Sequence, residues 1–97
     1  MNSLLVCYDV STESKEGKNR LRRVAHLCVA HGSRVQNSVF ECTLTSVQLE
    51  SFRENLLKVI DREEDSLRIY RIQPSLAGSV EIYGVDRGTD FRGPLIF

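Results

Sequence analysis

The chain has no tryptophan, two prolines and three cysteines in 97 residues. An odd number of cysteines with no C-x-x-C spacing and no zinc-type histidines nearby excludes a disulfide framework and a structural zinc site. Cys7, Cys28 and Cys42 therefore read as small, reduced core residues. No apolar run approaches the roughly 20 residues that span a bilayer. The run from Leu4 to Cys7 leads through Tyr8 into the polar stretch Asp9 to Lys18, and no basic segment precedes it as a secretory leader would require. These absences exclude a membrane span and point to a cytoplasmic chain. Also missing are a glycine-rich phosphate loop, a G-x-S-x-G elbow and an H-E-x-x-H pair, so the familiar nucleotide-binding, serine-hydrolase and metalloprotease patterns do not apply.

Net charge is absent too, with 13 basic against 13 acidic residues. No overall field draws the chain to nucleic acid, so any such attraction must be local. The charges are segregated. Lys15 to Arg34 holds six basic residues (Lys15, Lys18, Arg20, Arg22, Arg23, Arg34) and one acid, Glu16, whereas Glu50 to Asp65 holds six acids and three bases. One surface is suited to an anion and another is kept from it. The length makes a single domain, 1–97, with an adequate but thin core that association would reinforce.

Ser3 to Tyr8 is a strand-length apolar run, read as a central strand covered on both faces. A polar loop, Asp9 to Gly17, leads to a helix from about Lys18 to about His31. There Leu21, Val24, Ala25 and Cys28 recur at i, i+3, i+4, i+7, and Gly32 acts as the stop. Ser33 to Leu44 carries Gln36, Asn37 and Ser38 in its middle and reads as a hairpin. Thr45 and Gln48 stand in capping-box relation before a second helix with Leu49, Phe52, Leu56, Val59 and Ile60 on one face, ending near Asp61. D-R-E-E-D is expected to be a solvated turn. The following strand sets Leu67 and Ile69 on one side and Arg68, Tyr70 and Ile72 on the other. A linker at Gln73 to Ser79, a short fifth strand at Val80 to Val85 and a P-L-I-F tail complete the chain.

The order describes an α+β fold, a ferredoxin-like βαββαβ unit with an additional C-terminal strand. Both helices lie on one face of the sheet. Val6, Tyr8, Val39 and Tyr70 cannot all point at them, so a homodimer with its sheets facing is expected.

Asp9 sits at the end of the first strand, a position that suits either a turn aspartate or a site residue. One carboxylate does not hold Mg²⁺ by itself, but a two-fold dimer could bring two copies together. His26 and His31 read as structural or surface groups. Ser11 and Ser38 have no visible base to make them nucleophiles. Arg20, Arg22 and Arg23 could contact phosphate or form a solvated face. Phe40 and Tyr70 could stack on bases or fill the core.

Several segments, in this order, resemble the CRISPR-associated Cas-two family. They are the strand ending Tyr8-Asp9-Val10-Ser11, the helix segment R-L-R-R-V-A, Gly32 to Glu41 with S-V-F-E, Ile60-Asp61, and Asp65 to Tyr70. The likeness covers roughly residues 3 to 72, and the P-L-I-F tail is similar to members from type I-C systems. It implies a ferredoxin-like homodimer and one divalent ion, Mg²⁺ or Mn²⁺, shared across the dimer by Asp9 of each copy. It further implies metal-dependent endonuclease activity on single-stranded RNA or double-stranded DNA, and a place bridging the Cas-one integrase in spacer acquisition. By the same resemblance Tyr8, Asp9, Arg34 and Phe40 are tied to catalysis, while Arg20, Arg22, Arg23 and Arg34 are tied to nucleic-acid binding. A non-catalytic scaffold and a toxin-type ribonuclease of the same fold are the alternatives. An RRM-type RNA-binding sheet lacks its aromatic signature.

Overall fold

The computed structural model describes residues 1–72 and 81–84. Its elements are β1 (Asn2–Asp9), α1 (Lys15–His31), β2 (Gly32–Gln36), β3 (Val39–Leu44), α2 (Ser46–Val59) and β4 (Ser66–Ile72). The four strands form one sheet in the order β2-β3-β1-β4, antiparallel at every pairing. This is the expected split βαβ arrangement, with both helices on one face.

Helix α1 starts earlier than the apolar spacing predicts. Ser14 is its N-cap, its side chain accepting from the Gly17 N–H at 3.0 Å, so the first turn recruits polar residues that periodicity ignores. The helix ends where the Gly32 N–H donates to the Cys28 carbonyl, and Gly32 is at once the first residue of β2. Its φ of −152° is ordinary extended backbone. Glycine is required there by space, because a Cβ would meet the Cys42 Sγ and lie 2.7 Å from the Glu41 carbonyl oxygen. Helix α2 begins with the expected capping box, Thr45 N–H to Gln48 Oε1 at 2.9 Å and Gln48 N–H to Thr45 Oγ1 at 3.1 Å.

Strand alternation sorts the aromatic and apolar residues between the two faces. Leu4, Val6 and Tyr8 from β1 and Phe40, Cys42 and Leu44 from β3 are buried in one core with Val24 and Cys28 of α1 and Leu49, Phe52, Leu56 and Val59 of α2. His31 joins this core from the end of α1. Its ring stacks on Phe52 at 4.7 Å and its Nδ1 donates to the Leu27 carbonyl at 2.9 Å, a structural role. Burial pushes the Cys28 thiol up to about 12 and Cys42 to about 11, so both remain neutral and inert as the sequence indicates.

The register places Leu5 opposite Glu41 and Tyr70, and Cys7 opposite Val39 and Arg68, on the face away from the helices. Among the described residues the helices cover β1 on one face only. Leu5, Cys7 and Val39 are half-buried and Tyr70 is 45% exposed. The expected fifth strand falls partly on Glu81–Gly84, which are exposed and not in a strand. A strand exists only where a ladder partner accepts its backbone groups, and Gly84 at φ 81° turns out of the extended region. The rest of that segment, the linker and the P-L-I-F tail lie outside the described residues.

Candidate functional site

The C-terminal end of β1 opens into a cleft of about 530 Å³ between α1 and the turn joining β2 to β3. Asp9 lines it together with Lys18 and Arg22 of α1, Arg34 of β2, and Asn37 and Ser38 of the turn. The sheet supplies the carboxylate at a strand end and the helix supplies the cations, so the local basic segment converges on Asp9 in space. Asp9 is exposed, and its carboxylate has no hydrogen-bond or ion-pair partner among the described residues.

Tyr8 and Arg34 form the wall behind it. The Tyr8 ring is buried against Phe40, centroids 6.1 Å apart, and its hydroxyl donates to the Asn37 carbonyl at 3.1 Å. The Tyr8 N–H donates to the Ser38 carbonyl, so both ends of this residue hold the hairpin turn. Burial raises the Tyr8 hydroxyl above its ordinary range, with Arg34 opposing, and Tyr8 stays a neutral donor near pH 7. Register shifts between Arg34 and Gln36, a bulge, and the Arg34 guanidinium lies over the Phe40 ring, 5.1 Å from its centroid. The Arg34 Nε is buried without a hydrogen-bond partner.

Phe40 itself is 0% exposed. It cannot stack on a base or touch a substrate, which corrects the base-stacking option for this residue. Any tie to catalysis runs through Arg34 and Tyr8, which it supports. Tyr70 remains accessible on the open sheet face, its hydroxyl accepting from Arg68 Nη1 at 3.0 Å.

The three arginines of α1 are not equivalent. Arg20 is drawn into the fold, its Nε 2.8 Å from Asp65 Oδ2 and its Nη2 3.4 Å from Glu64 Oε2. Arg22 and Arg23 have no partner among the described residues and, with His26 and Lys58, border a second groove between α1 and α2. The accessible basic surface is thus built from Lys18, Arg22, Arg23 and Lys58 with Arg34 beside it, and Arg20 is occupied.

Asp65 is the residue that sequence reasoning missed. The solvated D-R-E-E-D turn is solvated only in part, since the Asp65 side chain is 0% exposed and also accepts from the Ser11 and Asp61 N–H groups at 3.1 and 2.9 Å. Its partners come from three separate segments, so local pattern could not find them. The Arg20 hydrogen bond, with help from those backbone donors, holds the carboxyl below its usual range. A group held low in the folded state contributes stability that is full above its unfolded value of ~3.9 and is lost as pH falls through the folded value. Wild type is expected to lose thermal stability between about pH 5 and about pH 3 more steeply than Asp65→Asn. At neutral pH that variant is expected to lose about 1–3 kcal/mol for each buried donor left unpaired. Thermal melts at the two pH values check both; parallel acid profiles for the two proteins would overturn the assignment.

Among the described residues Asp9 is the only carboxylate lining the cleft, and no cluster of three metal-ligating side chains occurs. Mg²⁺ commonly takes one or two carboxylates with water and phosphate oxygens filling its shell. An accessible, unengaged Asp9 fits as one such ligand.

The family model described as CRISPR associated protein Cas2 matches residues 1–78. The CRISPR-associated endonuclease Cas2 of Halalkalibacterium halodurans is 49% identical over 94 residues, covering 97% of this chain and 98% of its own. The CRISPR-associated endoribonuclease Cas2 1 of Moorella thermoacetica is 47% identical over 93 residues, covering 96% and 97%. Among solved structures, that of Streptococcus pyogenes Cas2 at pH 6.5 superimposes with a TM-score of 0.74 at 45% identity, covering 84% of this chain and 99% of that one.

Proposed function

The chain belongs to the CRISPR-associated Cas2 family, and on that premise we propose that it is a metal-dependent endonuclease that works as a homodimer. The observation that carries this reading is the convergence of an unengaged carboxylate, Asp9, with Lys18, Arg22 and Arg34 in one open cleft. Relatives named endonuclease and endoribonuclease support the reaction class. The sheet face turned away from the helices, with half-buried Leu5, Cys7 and Val39 and exposed Tyr70, supports the dimer, since burying the remaining apolar area against a second copy stabilises by ~25 cal/mol per Å².

Asp9 of each copy would hold the shared Mg²⁺ or Mn²⁺. The ion supplies Lewis-acid polarisation of a phosphodiester when bound. The other residues have binding and orienting roles. Lys18 and Arg22 draw the phosphate backbone into the cleft. Arg34, held against Phe40, offers guanidinium donors to a phosphate oxygen beside Asp9. Tyr8 fixes the turn that frames the opening.

The same dimer bridges the Cas-one integrase in this proposal, lying along the DNA duplex through Arg22 and Arg23, which have no partner among the described residues. Defined single-stranded RNA and double-stranded DNA, offered with increasing Mg²⁺ and again with EDTA, test the catalytic half. Metal-dependent cutting of either substrate supports it. Duplex binding without cutting of either would leave the scaffold alone.

Binding has its own signature. Each phosphate contact made by a cation contributes ~0.9 to the slope of log K against log salt. The double variant Arg22→Glu, Arg23→Glu is expected to bind duplex more weakly and to flatten that slope by about 1.8 for each copy of the dimer that lies on the duplex, about 3.6 when both do. An unchanged slope in a salt titration would remove these two residues from the duplex track.

A further inference from the structure

Asp9 has no side-chain partner among the described residues, so its direction is set only by the backbone that carries it. That backbone is held on both sides by one short segment. Asp9 pairs with Ser66 in the β1–β4 ladder. Two residues further on, the Ser11 N–H donates to Asp65 Oδ1 at 3.1 Å. Neighbouring residues 65 and 66 thus hold the chain at Ser11 and at Asp9, and between them they fix where β1 stops and how it turns away.

The other side of Ser11 is fixed as well. Its carbonyl lies against Gly17 so closely that a Cβ there would collide with it. Arg20, one turn along the same helix, reaches Asp65 through Nε at 2.8 Å and Nη2 at 3.3 Å. With the Asp61 N–H included, four donors fill the two oxygens of an Asp65 side chain that has no exposed surface. A carboxylate so saturated has no capacity left to bind an ion itself. Its effect falls on the strand end it braces.

We infer that Asp65 is a positioning residue for Asp9, setting through Ser11 the direction in which the Asp9 carboxylate meets a divalent ion. The inference rests on Asp9 being a metal ligand. When two copies share one ion, an error in the strand end enters twice, so a small displacement is costly. Partners that orient a metal ligand typically change metal affinity by 10–100-fold when removed.

The test uses the full chain, with Mn²⁺ alone as the probe. Wild type, Asp9→Asn, Asp65→Asn and Leu49→Ala are titrated by calorimetry, and exchange of the Ser11 amide is followed by NMR. Leu49 is a buried α2 residue outside the cleft lining and serves as the stability control. Asp65→Asn is expected to bind Mn²⁺ at least about tenfold more weakly and to lose protection at the Ser11 amide, while folded Leu49→Ala keeps wild-type affinity. Wild-type affinity in Asp65→Asn, or an equal loss in Leu49→Ala, would overturn the positioning role while leaving Asp9 a ligand. Equal Mn²⁺ binding by wild type and Asp9→Asn, or none by wild type, would overturn the metal reading of Asp9 and the positioning role with it.

Discussion

Replacing Asp9 by asparagine is expected to lower Mg²⁺-dependent cleavage by more than about a hundredfold, beyond the effect of a residue that only orients a ligand. Folding and self-association should persist. Asp9 is exposed at the strand end and its side chain makes no contact that the fold uses, and substitutions of that kind usually change stability by no more than about 0.5 kcal/mol. Asparagine keeps the shape and the backbone pairing with Ser66 while removing the negative charge that a hard cation prefers. The loss is therefore chemical. Cleavage rates over a wide range of Mg²⁺, together with thermal melts and light scattering of the same samples, check it. A variant that cuts at the wild-type rate in excess Mg²⁺ would place the nuclease chemistry elsewhere.

Phe40→Ala has the largest expected effect on stability. Its ring is fully buried, packs on Tyr8 and carries Arg34 on one face. Truncating such a phenylalanine costs about 3–5 kcal/mol, from lost burial and from the cavity left behind. In a domain of this size that is a Tm lower by about 15–30 °C. Cleavage should fall with it, because Arg34 loses its support and Tyr8 its packing. Phe40→Leu, which refills most of the volume, should recover most of the Tm. A Phe40→Ala protein with wild-type Tm and no cleavage would instead show the ring acting on substrate, against its burial.

The contrast between these two residues shows how differently the sequence exposes them. Tyr8-Asp9 and S-V-F-E are both visible as motifs, and the resemblance ties both to catalysis. Geometry separates them. One is an accessible carboxylate at a strand end and the other is a core ring, the second residue of β3 after a hairpin turn that Tyr8 holds. The α1 arginines divide in the same way. R-L-R-R reads as one basic group, yet Arg20 turns inward to Asp65 while Arg22 and Arg23 have no partner among the described residues.

The sequence alone determined what depends on near neighbours. The spacing of Leu49, Phe52, Leu56 and Val59 makes α2 amphipathic, and Thr45 with Gln48 caps it, because a helix bonds residues three and four apart. Leu67 and Ile69 alternate with Arg68 and Tyr70 in β4 because a strand has period two. Helix α1 shows the limit, since its polar first turn carries no apolar period and only the Ser14 cap reveals its start. Tertiary structure decided what depends on register and distant chain. A strand's period gives two faces but does not say which meets the helices, and pairing with both neighbours put Tyr8 and Phe40 inside and Tyr70 outside. Asp65 and Ser11 lie 54 residues apart in sequence. Their bond exists only because β4 docks beside β1, burying a carboxylate that then has to find every donor within reach.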